Sequence, residues 1–475
     1  MIEKRQFYIN GQWVDPATPN DLAVIDPATE ETCAVISLGD QADTDAAVAA
    51  ARAAFDGWAE TPVEERAALI KKLGDIYNAR RDEMAEAMRM EMGAPIDLAR
   101  NNQWGAGSWH LAGFLEALKE FEFEKKMGAD RIRKEPIGVC ALITPWNWPM
   151  NQVFLKAIPA MAVGCTMVLK PSEISPLSSL LFAEMVDEAG FPPGVFNLVN
   201  GDGVGVGSQL SSHPDVDMVS FTGSTRAGIA ISKAAADTLK RVSLELGGKG
   251  ANVIFADADE KAVKRGVIHC MQNTGQSCNA PTRMLVERSR YDDAVAEAKA
   301  TAEATQVGPT TESGRHIGPV VSELQFNKIQ GLIEIGIKEG ATLLAGGLGR
   351  PEGMNKGYYV RPTVFADVTP DMTIYREEIF GPVLAITPFD TEEEAVAMAN
   401  DTVYGLTNYI QTQDDDKRLR MARKVRSGMV ETNGVGRVQG SPFGGYKQSG
   451  NGREGGEWGL EEFCETKAIS GVPMG

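Results

Sequence analysis

Ile137-Gly138-Val139-Cys140-Ala141-Leu142-Ile143 is an apolar run bounded by Pro136 and by Thr144-Pro145. A short run of this kind between turn residues reads as a strand buried on both faces. The next hundred residues repeat the theme. Helical spacing over 149–163 leads to the strand Thr166-Met167-Val168-Leu169, and helical spacing over 176–189 leads to Val195-Phe196-Asn197-Leu198-Val199. Then Val216-Asp217-Met218-Val219-Ser220-Phe221 runs through Thr222-Gly223-Ser224 into another helix. Strands alternating with helices predict a parallel sheet with crossover helices, an α/β fold.

The block 137–246 therefore reads as a dinucleotide-binding unit. A second alternating block begins after Gly247-Gly248, with strands expected at 251–255, 284–286, 342–344, 383–386 and 429–430. Its helices are expected at 260–271, 291–305, 323–339, 392–400 and 414–426, and the domain junction at the glycine pair. Upstream, Phe7-Tyr8-Ile9-Asn10-Gly11-Gln12-Trp13-Val14 predicts a hairpin turning at Asn10-Gly11, and helical periodicity covers 43–55 and 64–92. A further helix carries Trp104, Trp109, His110 and Phe114, aromatics that serve either helix packing or a substrate entrance. The tail from Cys464 has no helical period and reads as an extended arm.

With 475 residues the chain is long enough for two or three domains. Its net charge of −18 opposes binding to nucleic acid or anionic membrane, so an anionic cofactor needs a local dipolar or cationic cradle. The six cysteines show no paired spacing and the four histidines no ligand spacing, which fits a reducing compartment and no metal site. Neither a signal peptide nor a membrane span is apparent, so a cytoplasmic protein is expected.

Several short stretches carry chemistry. Cys278 stands in Gly275-Gln276-Ser277-Cys278-Asn279-Ala280-Pro281, and a thiolate is the strongest side-chain nucleophile near neutral pH. Asn147 follows Pro145-Trp146, and Glu245 lies in Glu245-Leu246-Gly247-Gly248-Lys249. Lys170-Pro171-Ser172-Glu173 ends a strand, where Pro171 turns the Lys and Glu side chains out beyond the sheet's carboxyl edge, the place open α/β sheets bind ligands. Ser224, after Gly223, opens a helix whose free N–H groups suit a phosphate. Gly201-Asp202-Gly203-Val204-Gly205-Val206-Gly207 lacks the third glycine of the usual fingerprint and equally reads as a plain β–α turn.

Taken together with Glu377-Glu378-Ile379-Phe380-Gly381-Pro382, these motifs resemble the aldehyde dehydrogenase superfamily in order and separation over nearly the whole chain. The resemblance implies a Rossmann-like NAD-binding domain (1–124 and 137–246), a second α/β catalytic domain (247–445) and a small β oligomerisation arm (125–136 and 446–475). It also implies a homodimer or homotetramer. Cys278 becomes the nucleophile, Asn147 an oxyanion donor and Glu245 the base for thioester hydrolysis. Gly223 and Ser224 would hold the pyrophosphate, and Lys170, Ser172 and Glu173 the adenosine ribose. Glu378 and Phe380 would hold the nicotinamide ribose and ring, with Thr144 and Trp146 also at the coenzyme. Glu173 points to NAD before NADP, because a carboxylate accepts from a free 2′-hydroxyl and repels a 2′-phosphate.

The retained Glu245 favours water over coenzyme A as acyl acceptor, and the intact trio of Cys278, Glu245 and Asn147 speaks against a non-catalytic member of the fold. The substrate pocket, by resemblance, is walled by Trp148, Asn151, Gln152 and Leu155, by Gln103 and Gly107, by Ser277 and Asn279, and by Arg437 to Gln439. That predicts a neutral, medium-sized aldehyde, with a carboxylate-bearing semialdehyde gripped by Arg437 as the alternative.

Overall fold

The computed structural model describes residues 1–471, and of the predicted extended arm Val472 to Gly475 lie outside them. The opening run forms the strand Val139–Ile143, buried along its whole length. Val139, Ala141 and Ile143 face one apolar layer, whereas Cys140 and Leu142 face the other. Burial of each large aliphatic side chain on such a strand is worth about 1.5–3 kcal/mol.

Five parallel strands stand in the order Arg241–Glu245, Met218–Thr222, Val139–Ile143, Thr166–Lys170, Phe196–Leu198. The chain thus starts mid-sheet, winds one way, then crosses to the other side of its first strand. Between Val139–Ile143 and Met218–Thr222 the direction of winding reverses, and the loops leaving those strands diverge into a crevice. The predicted hairpin, Phe7–Ile9 with Gln12–Val14, extends this sheet by antiparallel pairing. Its turn residues Asn10 and Gly11 have φ of 52° and 73°, as a two-residue hairpin turn requires.

A second seven-stranded sheet runs Thr342–Ala345, Thr363–Ala366, Val383–Phe389, Arg283–Glu287, Ala251–Ile254, Thr407–Gln411, Met429–Thr432, parallel apart from the first pair. Two of its strands, Thr363–Ala366 and Thr407–Gln411, go beyond those expected. In the latter, polar residues are buried because they bond across the sheet: Asn408 Oδ1 accepts from Ala251 N at 3.0 Å, and Gln411 Nε2 donates to Asn252 Oδ1 at 2.9 Å. Also unforeseen is a three-stranded sheet of Ile2–Lys4, Glu31–Ser37 and Asp21–Asp26. The helical stretch 64–92 is two helices, Val63–Ala79 and Arg81–Met92, the second ending at Gly93 with φ 77°.

The tail strand Cys464–Ile469 pairs antiparallel with Asp130–Pro136, which pairs with Glu124–Met127 in a small separate sheet. Within 446–471, however, Gly450 bridges to Glu245 and lies against the junction of the large sheets. We propose the division 1–124 with 137–246, 247–445, and 125–136 with 446–475, since each large sheet takes its strands from one of the first two spans.

The junction itself is tightly closed. A Cβ on Gly247 would stand 2.5 Å from Glu378 Oε2, one on Gly248 2.2 Å from the Cys278 carbonyl oxygen, and one on Gly250 2.4 Å from the Thr407 oxygen. Ser449 ties across it, its carbonyl accepting from Leu246 N at 2.9 Å and its hydroxyl donating to Gly247 O at 2.6 Å. Glycine alone fits these positions.

Candidate active site

The crevice at the switch point holds a cavity of about 240 Å³ lined by Trp146, Asn147, Gly223, Ser224, Cys278, Glu378 and Phe380, among others. Seven of the residues singled out from the sequence thus meet at one place. Trp146 and Phe380 form one wall, ring centroids 5.4 Å apart and perpendicular. Phe380 is held at φ 59°, and Gln325 Nε2 donates to its carbonyl at 2.7 Å. Glu378 reaches the junction, its Oε1 accepting from Gly248 N at 2.7 Å. At the other end Ser224 caps the helix Thr225–Ala235, while the buried Thr222 hydroxyl finds no partner among the described residues.

The other expected coenzyme residues lie along the same sheet edge but outside this cavity. Thr144 is buried, its N–H donating to Lys170 O at 3.1 Å. Lys170 Nζ donates to the carbonyls of Pro171 (2.9 Å) and Gly201 (2.6 Å), with Glu173 at 3.5 Å. Ser172 is buried, whereas the Glu173 side chain remains 33% exposed. The glycine-rich stretch supplies the Gly201 carbonyl and a turn closed by Gly205 N donating to Asp202 Oδ1 at 2.5 Å.

Cys278 is half-buried, in the loop between the helix Ala262–Met271 and the strand Arg283–Glu287. Burial, then the nearby carboxylates Glu378 and Glu245, push its thiol up to about 12. The loop is reached through a left-handed turn: Asn273, Thr274 and Gly275 have φ of 52°, 57° and 71°. For non-glycine residues this conformation costs about 1–3 kcal/mol each, and it is held by the Asn273 and Thr274 side chains. Thr274 Oγ1 donates to Gly318 O at 3.1 Å, and Asn273 Nδ2 to Asn147 O at 3.0 Å. Asn147 donates one side-chain N–H to Gln276 O at 3.0 Å, so the other remains for a ligand.

Glu245 ends its strand with both carboxylate oxygens buried and without a hydrogen-bond partner among the described residues. Burial, then repulsion from Glu454, holds its carboxyl well above the usual range, against the pull of Lys156 and Arg453. Oε1 lies 2.7 Å from where a Cβ on Gly444 would stand, so the carboxylate rests against glycine backbone rather than lining the cavity. Beside it is a pair that sequence reasoning missed: Lys156 Nζ and Glu454 Oε1, 2.5 Å apart, with side chains 1% and 6% exposed. A lone lysine in the apolar helix 149–163 was the available signal, since a buried charge demands a partner.

Two expected pocket residues are placed elsewhere. Gly107 faces the core, where a Cβ would come 2.7 Å from the Tyr77 hydroxyl, because Tyr77 reaches past it to donate to Trp104 O at 2.9 Å. Gln103 is wholly buried, with its amide turned to Asn147. Of the other residues expected in the substrate pocket, Trp148 Nε1 donates to Ser277 Oγ (2.8 Å), and Asn151 Oδ1 meets His110 Nε2 (2.8 Å). Arg437 lies 3.4 Å from Glu431 and over the Phe443 ring, and Gln439 bonds Trp109 O. Arg283 is spent on structure, donating to the carbonyls of Lys249, Met398 and Ala399.

A doubly wound sheet whose switch point opens onto a cysteine carried by a second α/β unit is the arrangement of the aldehyde dehydrogenases. The chain belongs to the aldehyde dehydrogenase family, whose family model matches residues 13–469. It is 52% identical to a 3-succinoylsemialdehyde-pyridine dehydrogenase of a Pseudomonas species, over 99% of both chains. Among solved structures, an aldehyde dehydrogenase of Bartonella henselae superposes with a TM-score of 0.98 at 62% identity, covering 99% of this chain and 100% of that one. Aldehyde dehydrogenase C of Pseudomonas syringae, a cysteine-to-alanine mutant in complex with NAD+ and octanal, superposes with a TM-score of 0.97 at 50% identity, covering 98% and 96%. The α/β fold, with two large sheets and a small one in the arm, agrees with the sequence reading, and the small N-terminal sheet is additional to it. No helix among the described residues is long and apolar enough to cross a membrane.

Proposed function

We propose that this chain oxidises an aldehyde to its carboxylic acid with NAD as coenzyme and water as acyl acceptor. The observation that carries this reading is that Cys278, Asn147 and the coenzyme-side residues line one cavity. The cavity suits the diphosphate and nicotinamide end of a dinucleotide. Ser224 starts a helix whose N–H groups suit a diphosphate, the orphan Thr222 hydroxyl stands beside it, and Glu378 and Phe380 border the end nearest Cys278. Solved relatives hold NAD+. Lys170, Ser172 and Glu173 would take the adenosine ribose, with Thr144 and Trp146 lining the way.

The Cys278 sulfur adds to the aldehyde carbon, its proton leaving to solvent, and the oxygen that becomes negative is held by the free Asn147 N–H and the Cys278 backbone N–H. NAD, when bound, supplies the two-electron acceptor for the hydride lost from that carbon. The resulting thioester is hydrolysed by water, from which Glu245 takes the proton. No hydrogen bond anchors the Glu245 carboxylate, so turning from the Gly444 backbone toward the thioester breaks none. The Lys156–Glu454 pair beside it offers a place to pass the proton on. The sum is aldehyde, NAD+ and water giving carboxylate, NADH and two protons. NADH formation from aldehydes without coenzyme A tests the reading: a requirement for coenzyme A, or no turnover at all, overturns it. A homodimer or homotetramer acting in the cytoplasm remains part of the proposal.

Glu173 is expected to set coenzyme choice. Its partly exposed carboxylate repels a 2′-phosphate, and Lys170 Nζ donates to two carbonyls rather than toward such a group. kcat/KM should favour NAD over NADP by at least about tenfold, about 1.4 kcal/mol. Glu173→Gln should narrow the ratio, and equal efficiencies in the unaltered chain refute the assignment.

The same geometry supports a neutral, medium-sized aldehyde. Arg437, the candidate grip for a distal carboxylate, already has Glu431 beside it and Phe443 beneath it. The relatives point the same way, one holding octanal and another being named for a pyridine-bearing semialdehyde. Hexanal and benzaldehyde should exceed succinic semialdehyde in kcat/KM by about tenfold or more, with little change in Arg437→Ala. A tenfold preference for succinic semialdehyde that vanishes in Arg437→Ala is the contrary outcome.

A further inference from the structure

Two irregular backbone segments, far apart in sequence, meet at one carbonyl. Ahead of the helix Trp104–Glu120 stands a π-helical turn, Ala99–Gln103, in which the Trp104 N–H reaches back to Ala99 O. Such turns insert an extra residue and redirect side chains, often at functional sites. Gln103 is the last residue of that turn. The second segment is the left-handed turn at Asn273, Thr274 and Gly275, ahead of Cys278.

Gln103 Nε2 and Asn273 Nδ2 each donate to Asn147 O at 3.0 Å, and Gln103 Nε2 also lies 3.2 Å from Asn273 Oδ1. Asn273 Nδ2 further donates to Gln276 O at 3.2 Å, the same oxygen that takes Asn147 Nδ2 at 3.0 Å. Gln276 closes the ring by donating to Asn273 O at 3.2 Å, and its Oε1 accepts from Val321 N at 2.9 Å. Every member is buried. Gln103 Oε1 has no partner among the described residues, so this side chain is kept for its donor end. A closed buried network of amides fixes geometry more firmly than a solvated loop does.

We infer that Gln103 and Asn273 are positioning residues that hold Asn147, through its main-chain carbonyl, against the Cys278 loop, keeping oxyanion donor and nucleophile in register. The inference rests on the oxyanion role proposed for Asn147. A ring serving only the core would affect stability and leave the chemical step alone; a ring serving Asn147 acts through the chemical step.

The test is a set of single turnovers, NAD-saturated full-length enzyme in excess over hexanal, followed by NADH fluorescence. Gln103→Leu removes the donor, and Asn273→Gly removes the amide while keeping a residue at home in the left-handed region. Each is expected to slow the single turnover about ten- to hundredfold, as small misplacements of reacting groups do, with NAD affinity unchanged. In an Asn147→Ala background each should add less than about a twofold further loss, because the effect runs through Asn147. A single-turnover rate within about twofold of the unaltered enzyme in either single variant overturns the inference. So does an equal fold-loss with and without Asn147. Full-speed turnover in Asn147→Ala alone instead removes the oxyanion reading, and the positioning role falls with it. Should Gln103→Leu fail to fold, Asn273→Gly carries the same comparison.

Discussion

Cys278→Ala is expected to abolish aldehyde-dependent NADH formation, by at least about 10⁴-fold, as loss of a catalytic nucleophile does, while NAD still binds. The coenzyme-side residues at the cavity do not depend on the thiol: Ser224 caps its helix, and Glu378 is held by Gly248 N. No other cysteine can substitute, since Cys140, Cys165, Cys270 and Cys464 are buried in the apolar layers and Cys33 lies near the N-terminal sheet. A second readout uses the thiol's proton affinity. With burial and the Glu378 and Glu245 charges pushing it up to about 12, the thiolate is scarce at neutral pH in the coenzyme-free enzyme. Iodoacetamide labelling of Cys278, mapped by mass spectrometry, should rise with pH without a plateau up to about pH 9, since the thiolate is the reacting form. Normal turnover in Cys278→Ala removes the mechanism; a labelling plateau below neutral pH removes the electrostatic account.

Glu245→Gln should lower steady-state turnover about 10²–10⁴-fold, the range for loss of a general base. Intact-mass measurement with substrate and NAD should then show an acyl adduct on Cys278, because addition and hydride loss do not need the carboxylate. The pH dependence has a definite sign. Burial, then Glu454, raises the Glu245 carboxyl above its ordinary value, and only the deprotonated form acts as base. Hydrolysis in the unaltered enzyme should therefore rise with pH up to that raised value and fall as pH drops through it, a limb absent from Glu245→Gln. If turnover is reduced but no adduct appears, Glu245 acts earlier, on the Cys278 proton. A variant that turns over at the normal rate means another base is at work.

What could be read in advance was whatever leaves a local trace. Strand–helix alternation, the Asn10-Gly11 turn and Gly93 as a helix end each follow from the conformational needs of a few neighbouring residues. The strand Thr407–Gln411 left no such trace. Asn408 and Gln411 look like surface residues until their cross-sheet partners Ala251 and Asn252 are known, and those lie more than a hundred residues away. Site residues divide the same way. Cys278, Asn147 and Glu245 stand out through their glycine and proline neighbours, and the cavity gathers the first two directly. Gln103, expected as a pocket wall, is instead a buried donor at the end of a π-turn, and nothing in Asn101-Asn102-Gln103-Trp104 announces that turn. Glu454 is defined by Lys156, its partner across the fold.

The glycine junction bears on how such a molecule cycles. With Gly247, Gly248 and Gly250 packed on Glu378, the Cys278 carbonyl and Thr407, the link that leaves the first large sheet is held fast against the second α/β unit. A hinge swinging at this link would press on the backbone that carries Cys278. Coenzyme exchange is then expected to turn on smaller parts, the Trp146 and Phe380 side chains that face each other on one wall. Solvent viscosity, which slows large domain swings, should have little hold on its rate.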